Sequence, residues 1–194
     1  MRRGAGLVAL AAAALVLAAG CGVARVQQAP EDDLSTWSAI PLPPDAGLTA
    51  QVVSGQSACK DPNGGPIRVL LQDRRTALTA AFLVSGKDLF GSCFVTAQGG
   101  SSGGSGPLPD PMTAALSIDD SGFGNVAAGT ARELGGRVAA GVTRVVVELK
   151  DGRMVTASVV GGYWLAWWPN DVAASAVTAF DAAGAEIVIV EPPK

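Results

Sequence analysis

The stretch Gly161–Pro169 carries the most distinctive side chains of the chain. Its sequence, GGYWLAWWP, holds three of the four tryptophans and the only tyrosine. Aromatic rings in such a run serve either as buried core or as an exposed platform on which a ligand such as a sugar stacks. The two interpretations place the rings on opposite faces of a strand, so the register of the neighbouring strands must decide between them.

The chain contains no histidine. This removes the commonest general base, the Ser–His and Cys–His pairs, and the usual nitrogen ligand of zinc. Residues 100–104, GSSGG, match the pattern of a nucleophile elbow but lack its strand-to-helix context. Residues 122–127, GFGNVA, match part of a dinucleotide fingerprint, but no helix is predicted after them. Neither segment predicts an active site.

Carboxylates remain as possible catalytic or metal-binding groups. Asp119 and Asp120 are adjacent, but their spacing is not that of a calcium loop, and acids before Ser-Gly are typical of a solvated turn. A hydrolase that uses two carboxylates stays open as an alternative, although nothing in the sequence selects a pair. We therefore predict no metal, no cofactor and no catalytic residue.

Residues 1–20 are predicted to be a secretory signal peptide. Arg2 and Arg3 precede an apolar run that is short for a spanning helix, and small residues then lead to Cys21. The sequence LAAGC resembles the lipobox of bacterial lipoproteins, in which the cysteine after the cleavage site receives the lipid, although Ala18 stands where that motif most often has Leu. The resemblance implies that Cys21 is lipidated, with ordinary signal cleavage nearby as the alternative.

The mature chain is mildly acidic. Removal of residues 1–20 deletes two of the 14 basic residues and none of the 17 acidic ones, which leaves a net charge of −5. Nucleic acids and anionic lipids require a basic face, which this balance disfavours. We predict a protein on the extracytoplasmic side of the cell membrane, held there by its lipid, with no nucleic-acid partner.

The other two cysteines are predicted to form a disulfide. If Cys21 carries a lipid, Cys59 and Cys93 remain as a pair in a compartment where disulfides persist. A bridge between them closes a loop of roughly 35 residues and stabilises the fold by about 3 to 4 kcal/mol. Two buried free thiols are the alternative.

Residues 21–44 are polar and then proline-rich, which predicts a flexible tether between the lipid and the domain. Trp37 lies within this segment and could dock on the domain. Residues 45–194 are predicted to form one β-rich domain that begins with a short helix capped by Asp45.

The rest of the chain reads as strands. About nine or ten strand-length runs separated by turn residues predict an all-β fold, an antiparallel sandwich or a partly open barrel with at most one or two short helices. A Gly/Ser/Pro segment at 99–111 interrupts the runs and is predicted to be a flexible loop. This loop would join two halves of the domain, 45–99 and 112–194.

Two hairpin turns predict the register around the aromatic strand. The first is a three-residue loop, Lys150–Gly152, in which Gly152 takes a left-handed conformation. This loop pairs Val147 with Val155, so that apolar side chains meet on one face.

The second turn is the pair Gly161-Gly162, which suits a two-residue hairpin loop. The resulting pairs are Val159 with Trp164, Ala157 with Ala166, and Val155 with Trp168. This register places Trp164 and Trp168 on the core face, whereas Tyr163 and Trp167 lie on the opposite face. The aromatic run is therefore predicted to be mainly core, with a smaller amphipathic group turned the other way.

The C-terminal part of the chain resembles a family of uncharacterised secreted proteins and lipoproteins of actinobacteria. The resemblance lies in a Lys-Asp-Gly turn between two strands, the aromatic strand GGYWLAWWP and the hairpin AFDAAG, in that order over residues 142–187. It implies an exported, β-rich protein. It implies no activity.

The leading functional hypothesis is a non-catalytic, lipid-anchored protein of the cell envelope that binds another envelope component, either a protein or a glycan. A sharper version is a glycan-binding domain that uses Tyr163 and Trp167 as its stacking platform. The rival is a carboxylate-based extracellular hydrolase. A binding domain predicts a ligand-dependent fluorescence change without turnover, whereas the hydrolase predicts a cleft with converging carboxylates of perturbed pKa.

Overall fold

The computed structural model describes residues 34–193, with gaps at 56, 58, 63, 98–100 and 127–128. The predicted signal peptide, Cys21 and the first part of the predicted tether lie outside the described residues. In the part that is described, no helix combines the length and the apolar character needed to cross a bilayer.

The described residues form one α-helix, one short 3-10 helix and twelve strands. The 3-10 helix is Leu34–Thr36, and α1 is Ala46–Val53. The strands are β1 Arg68–Arg74, β2 Thr79–Ser85, β3 Phe90–Thr96, β4 Ser101–Gly106, β5 Asp120–Val126, β6 Gly129–Arg137, β7 Arg144–Leu149, β8 Met154–Thr156, β9 Ser158–Val160, β10 Tyr163–Pro169, β11 Ala174–Phe180 and β12 Glu186–Val190.

The strands form three antiparallel sheets of four strands each. Sheet I has the order β1-β2-β3-β4, sheet II the order β5-β6-β10-β9, and sheet III the order β12-β11-β7-β8. The prediction of an all-β sandwich with a short helix is confirmed. Sheet I comes from the first predicted half of the domain together with β4, and sheets II and III come from the second half.

Three apolar clusters separate the layers and fix their order as α1, sheet I, sheet II and sheet III. The cluster between α1 and sheet I includes Val52 and Phe82, and the cluster between sheets I and II includes Phe94 and Trp167. The cluster between sheets II and III is the largest, and it contains Trp164. Sheet II is therefore covered on both faces, which explains why β10 is apolar at nearly every position.

The predicted register is confirmed next to each of the two hairpin turns. Val147 lies opposite Val155, and the φ of Gly152 is 84°. Trp164 lies opposite Val159, and the two glycines of the second turn have φ values of 60° and 86°. These positive values are the reason that glycine is needed in the turns.

The strand between these two turns is divided, which the sequence did not predict. Residues up to Thr156 pair with β7 in sheet III, and residues from Ser158 onward pair with β10 in sheet II. The chain passes from one sheet to the other at Ala157, so the predicted backbone pairs of Ala157 with Ala166 and of Val155 with Trp168 do not form. Their side chains still meet in the core between sheets II and III. Strands that change sheets in this way close the corner of a sandwich.

The prediction of a flexible loop at 99–111 is wrong for residues 101–106. Ser101–Gly106 form β4, which pairs with β3 along the edge of sheet I. The glycines allow this close pairing, because a Cβ at Gly103 would overlap the backbone of Ser92 and Cys93. A composition typical of a linker therefore serves here as an edge strand.

The prediction of a flexible tether at 21–44 is wrong for residues 34–44, because these residues pack on the domain. Trp37 donates from Nε1 to the carbonyl of Trp167 at 3.2 Å, and Leu42 N donates to the carbonyl of Arg74 at 2.7 Å. The predicted docking of Trp37 is thus confirmed. The physical reason is that Trp37 covers apolar surface between sheets I and II that water would otherwise contact.

The predicted helix cap and the predicted disulfide are both confirmed. The carboxylate of Asp45 accepts a hydrogen bond from Leu48 N at 3.0 Å at the start of α1. Cys59 and Cys93 are bridged, with their Cα atoms 5.6 Å apart. The bridge joins the segment after α1 to the central part of sheet I, in the cluster that α1 covers.

Candidate functional site

Trp167 does not form part of a ligand surface, contrary to the prediction. Its side chain is fully buried between sheets I and II, where its ring meets Phe94 edge-on at a centroid distance of 5.6 Å. Its Nε1 donates to the carbonyl of Asp73 at 2.9 Å. The predicted strand register is correct, but sheet I covers the face that the register assigned to solvent, so both faces of β10 are core.

Tyr163, the other predicted ligand residue, lies on the same face of β10 and remains partly exposed. Its ring stacks on Phe90 at a centroid distance of 6.4 Å, beside a cavity of about 270 Å³ that Arg68 and Arg137 also line. Arg137 is bound to Asp119, with Nε 2.8 Å from Oδ2. Tyr163 therefore borders a cavity that two arginines also line, but the predicted pair with Trp167 is not available to a ligand.

Two carboxyl groups, one buried and one half-buried, lie between sheets I and II. Glu133 on β6 is 4% exposed and accepts a hydrogen bond from the hydroxyl of Ser92 on β3. Asp120 on β5 lies on the same face of sheet II, and the Oδ2 of Asp120 and the Oε2 of Glu133 have no hydrogen-bond partner. Burial raises the pKa of Glu133 to about 8, and burial also raises the pKa of Asp120.

The carboxyl pair has the electrostatics of an acid catalyst but not the access. Converging carboxyl groups with raised pKa values are what a two-carboxylate hydrolase uses. The carboxyl of Glu133, however, lies against Ser92 and Gly122 inside the sandwich, where a Cβ on Gly122 would already come within 3.0 Å of Oε1. At neutral pH, Glu133 is largely a protonated, hydrogen-bonded group of the core.

The adjacent acids Asp119 and Asp120 do not act together. Asp119 binds the guanidinium of Arg137, and the carboxyl of Asp120 faces the interior beside Glu133. Among the described residues, no group of three or more Asp, Glu or Cys side chains is arranged to hold a metal ion. The geometry thus assigns the two carboxylates to different partners.

A groove on the other face of sheet II has the features of a binding site. We call it the Arg132 groove, and it is a cavity of about 270 Å³ between the β5–β6 edge of sheet II and the end of sheet III. Phe123, Arg132 and Trp168 lie side by side across β5, β6 and β10, because Arg132 pairs with each of the other two. The remaining lining residues that matter here are Ser121, Pro192 and Pro193.

The side chains of the Arg132 groove differ sharply in exposure. Phe123 is 75% exposed, although it is a large apolar residue, whereas Trp168 is buried and donates from Nε1 to the carbonyl of Val172 at 2.7 Å. Ser121 is exposed, and the two prolines form part of the rim. A free aromatic ring on a packed, hydrogen-bonded wall is a common arrangement in ligand sites.

The side chain of Arg132 has no ion pair and no hydrogen bond with any residue that the structure describes. Its Nε is buried without a partner, which is rare for a charged group. Five of the other six described arginines have partners within the fold, in ion pairs at Arg74, Arg75, Arg137 and Arg153 and over the ring of Phe180 at Arg144, and Arg68 is the exception. Arg132 is thus free to bind an anionic group in the groove.

Sequence reasoning missed the Arg132 groove. Phe123 lies in the segment 122–127, which matches part of a dinucleotide fingerprint, and the sequence alone predicted no role for its ring. The available signal is a phenylalanine whose same-face neighbours in the strand, Ser121 and Asn125, are both polar, so that the ring has no apolar side chain of its own strand to pack against on that face. Its proximity to Arg132 depends on the pairing of β5 with β6.

Comparisons with protein-family models, with curated proteins and with solved structures find no match to this chain. The resemblance of residues 142–187 to secreted actinobacterial proteins stays a prediction, as does the lipidation of Cys21, which lies outside the described residues.

Proposed function

We propose that this protein is a non-catalytic, lipid-anchored domain of the cell envelope that binds another envelope component in the Arg132 groove. The lipid on Cys21 would hold the domain on the outer side of the membrane. From there, a rigid sandwich presents the groove to the surrounding wall material.

The observation that supports this proposal best is the pairing of a 75% exposed phenylalanine with a guanidinium that has no internal partner. The ring exposes a large apolar area, and a buried guanidinium Nε without a hydrogen bond is rare, so their position on adjacent strands favours a binding role.

The second candidate is a hydrolase that uses Asp120 and Glu133. It is favoured by the raised pKa values of the two carboxyl groups. The burial of Glu133 weighs against it, because a polymeric substrate would reach that carboxyl only if sheets I and II moved apart.

Binding to isolated cell walls tests the proposal. The purified, full-length mature chain in detergent is sedimented with walls, and the bound fraction is compared with those of Phe123→Ala and Met154→Ala. Met154 is the matched control, because it is an apolar side chain 53% exposed on another sheet. We expect Phe123→Ala to bind less and Met154→Ala to bind as the wild type does. Equal binding of all three chains would contradict the proposal.

Turnover is followed in the same samples. We expect the wall material to be recovered chemically unchanged. Release of soluble fragments that stops in Glu133→Gln would instead support the hydrolase.

A further inference from the structure

We propose that the Arg132 groove binds an acidic saccharide, with the sugar ring on Phe123 and its carboxylate on Arg132. This inference rests on the proposed function, because it names the ligand class of the same groove.

The apolar half of the site is the ring of Phe123. Its neighbours on the same face of β5 are Ser121 and Asn125, which are polar and exposed, and the ring itself is 75% exposed. The carbon-bound hydrogens on one face of a pyranose form a flat apolar surface, which an exposed aromatic ring removes from water.

The polar half of the site is the guanidinium of Arg132. A carboxylate accepts two parallel hydrogen bonds from a guanidinium, which makes this pair directional as well as strong. The groove lining contains one other ionisable residue, Glu133, and its carboxyl is turned away toward Ser92 on the opposite face of sheet II. No acidic side chain of the lining therefore competes with an anionic ligand for Arg132.

The spacing of the two halves matches the size of one sugar unit. Phe123 and Arg132 are directly opposed on neighbouring antiparallel strands, which places their Cβ atoms about 5 Å apart on the same face. A hexuronic acid carries its carboxylate at the edge of its ring, at a similar distance from the centre of the apolar face. One unit can therefore contact both side chains at once.

The walls of the groove favour a saccharide over a peptide. Phe123, Arg132 and Trp168 project from one face of sheet II, and the rim carries Pro192 and Pro193. The prolines have no N–H group, and the three side chains project from the face of the sheet and not from the open edge of β5, so the groove itself offers few backbone groups to an extended peptide. Ser121 adds a hydroxyl that can bond to sugar hydroxyls.

Titration with two defined oligosaccharides tests the inference. The probes are a hexuronate trisaccharide and a neutral hexose trisaccharide of the same linkage, added to the full-length mature chain in detergent. Binding is measured by calorimetry and by tryptophan fluorescence, since Trp168 lines the groove. We expect the hexuronate to bind at least about tenfold more tightly than the neutral sugar, and its affinity to fall as salt is raised.

Three variants assign the binding to the groove. Arg132→Gln should weaken hexuronate binding about tenfold or more and leave the neutral sugar unchanged. Phe123→Ala should weaken both sugars. Arg68→Gln is the matched control, because Arg68 also lacks an ion pair in the described part of the chain but lines the Tyr163 cavity instead. It should bind both sugars as the wild type does.

Some results would overturn the inference. The inference is wrong if the two sugars bind with equal affinity, or if Arg68→Gln loses as much hexuronate affinity as Arg132→Gln does. It is also wrong if an acidic peptide binds more tightly than the hexuronate. If hexuronate fails to bind while wall binding still depends on Phe123, the ligand class is wrong and the proposed function stands. If wall binding is also independent of Phe123, both are wrong.

Discussion

Asp73 and Arg75 form an ion pair in which both side chains are completely buried, with Arg75 Nε 2.8 Å from Asp73 Oδ2. The pair links several parts of the fold. Arg75 donates to the carbonyls of Ala39 and Thr156, at 2.9 and 2.6 Å, and Ser158 donates to the other carboxylate oxygen of Asp73 at 2.9 Å. One guanidinium thus holds the N-terminal segment, sheet I and the corner between sheets II and III together.

We expect Arg75→Met to destabilise the domain by about 3 to 5 kcal/mol, because it leaves the carboxylate of Asp73 buried without its counter-charge. The measurement is the free energy of unfolding from urea denaturation of the full-length chain. The matched control is Arg153→Met, which removes the cation of an exposed ion pair with Asp151 and should cost less than about 1 kcal/mol. Similar losses for the two variants would contradict the central role of Arg75.

The raised pKa of Glu133 makes stability depend on pH. In the folded state the group titrates at about 8 instead of 4.5, so between these values the folded chain binds more protons than the unfolded chain. The free energy of unfolding contributed by this group therefore falls as pH rises from about 5 to 8. The raised pKa of Asp120 acts in the same direction.

Glu133→Gln tests this pH dependence. The amide keeps a neutral polar group beside Ser92, so we expect the slope between pH 5 and pH 8 to flatten and the variant to exceed the wild type at pH 8 by about 3 to 5 kcal/mol. The measurement is a series of urea denaturation curves across that pH range. An unchanged slope would show that Glu133 titrates normally.

The three tryptophans of β10 should contribute about equally to stability, because both faces of the strand are covered. Trp164, Trp167 and Trp168 are all at most 1% exposed, and each donates its indole N–H to a backbone carbonyl. We expect each substitution by alanine to cost about 3 to 5 kcal/mol. Denaturant midpoints measure the losses, with Phe123→Ala as the exposed control. A clearly smaller loss in Trp167→Ala would indicate that sheet I does not cover β10.

The disulfide contributes to stability by joining residues 34 positions apart in the sequence. We expect its removal in the double variant Cys59→Ala and Cys93→Ala to cost about 2 to 4 kcal/mol. Denaturation midpoints measure this loss, and the mass of the unreduced chain should be about two hydrogens lower than that of the reduced chain. Alkylation of both thiols without a reductant would contradict the bridge.

Lipidation of Cys21 is tested by fractionating cells. We expect Cys21→Ser to move the processed protein from the membrane fraction to the soluble one, because a spanning helix is not needed for anchoring when a lipid is present. The control is Cys59→Ser, which should stay with the membrane. Release of both variants would argue against a lipid on Cys21.

Local signals in the sequence determined a substantial part of this structure. The turns at Gly152 and at Gly161-Gly162 determined two hairpin registers, because a short turn allows few backbone geometries. Asp45 determined the start of α1 by supplying an acceptor for a free helix N–H. The disulfide followed from cysteine number and the predicted compartment.

The stacking of the layers was decided only by the tertiary structure. A strand that is apolar on both faces must be covered on both, but the sequence of β10 does not name the partner, and sheet I supplies it from residues far away in the chain. The same long-range packing buries Trp167 and places Trp37 against the domain. Pairing with β3 also makes the linker-like segment 101–106 a strand, β4. The Arg132 groove also depends on long-range packing, because Phe123 and Arg132 become neighbours only through a strand pairing that neither residue specifies. Turns and helix caps can be predicted from sequence because they arise from contacts within a few residues.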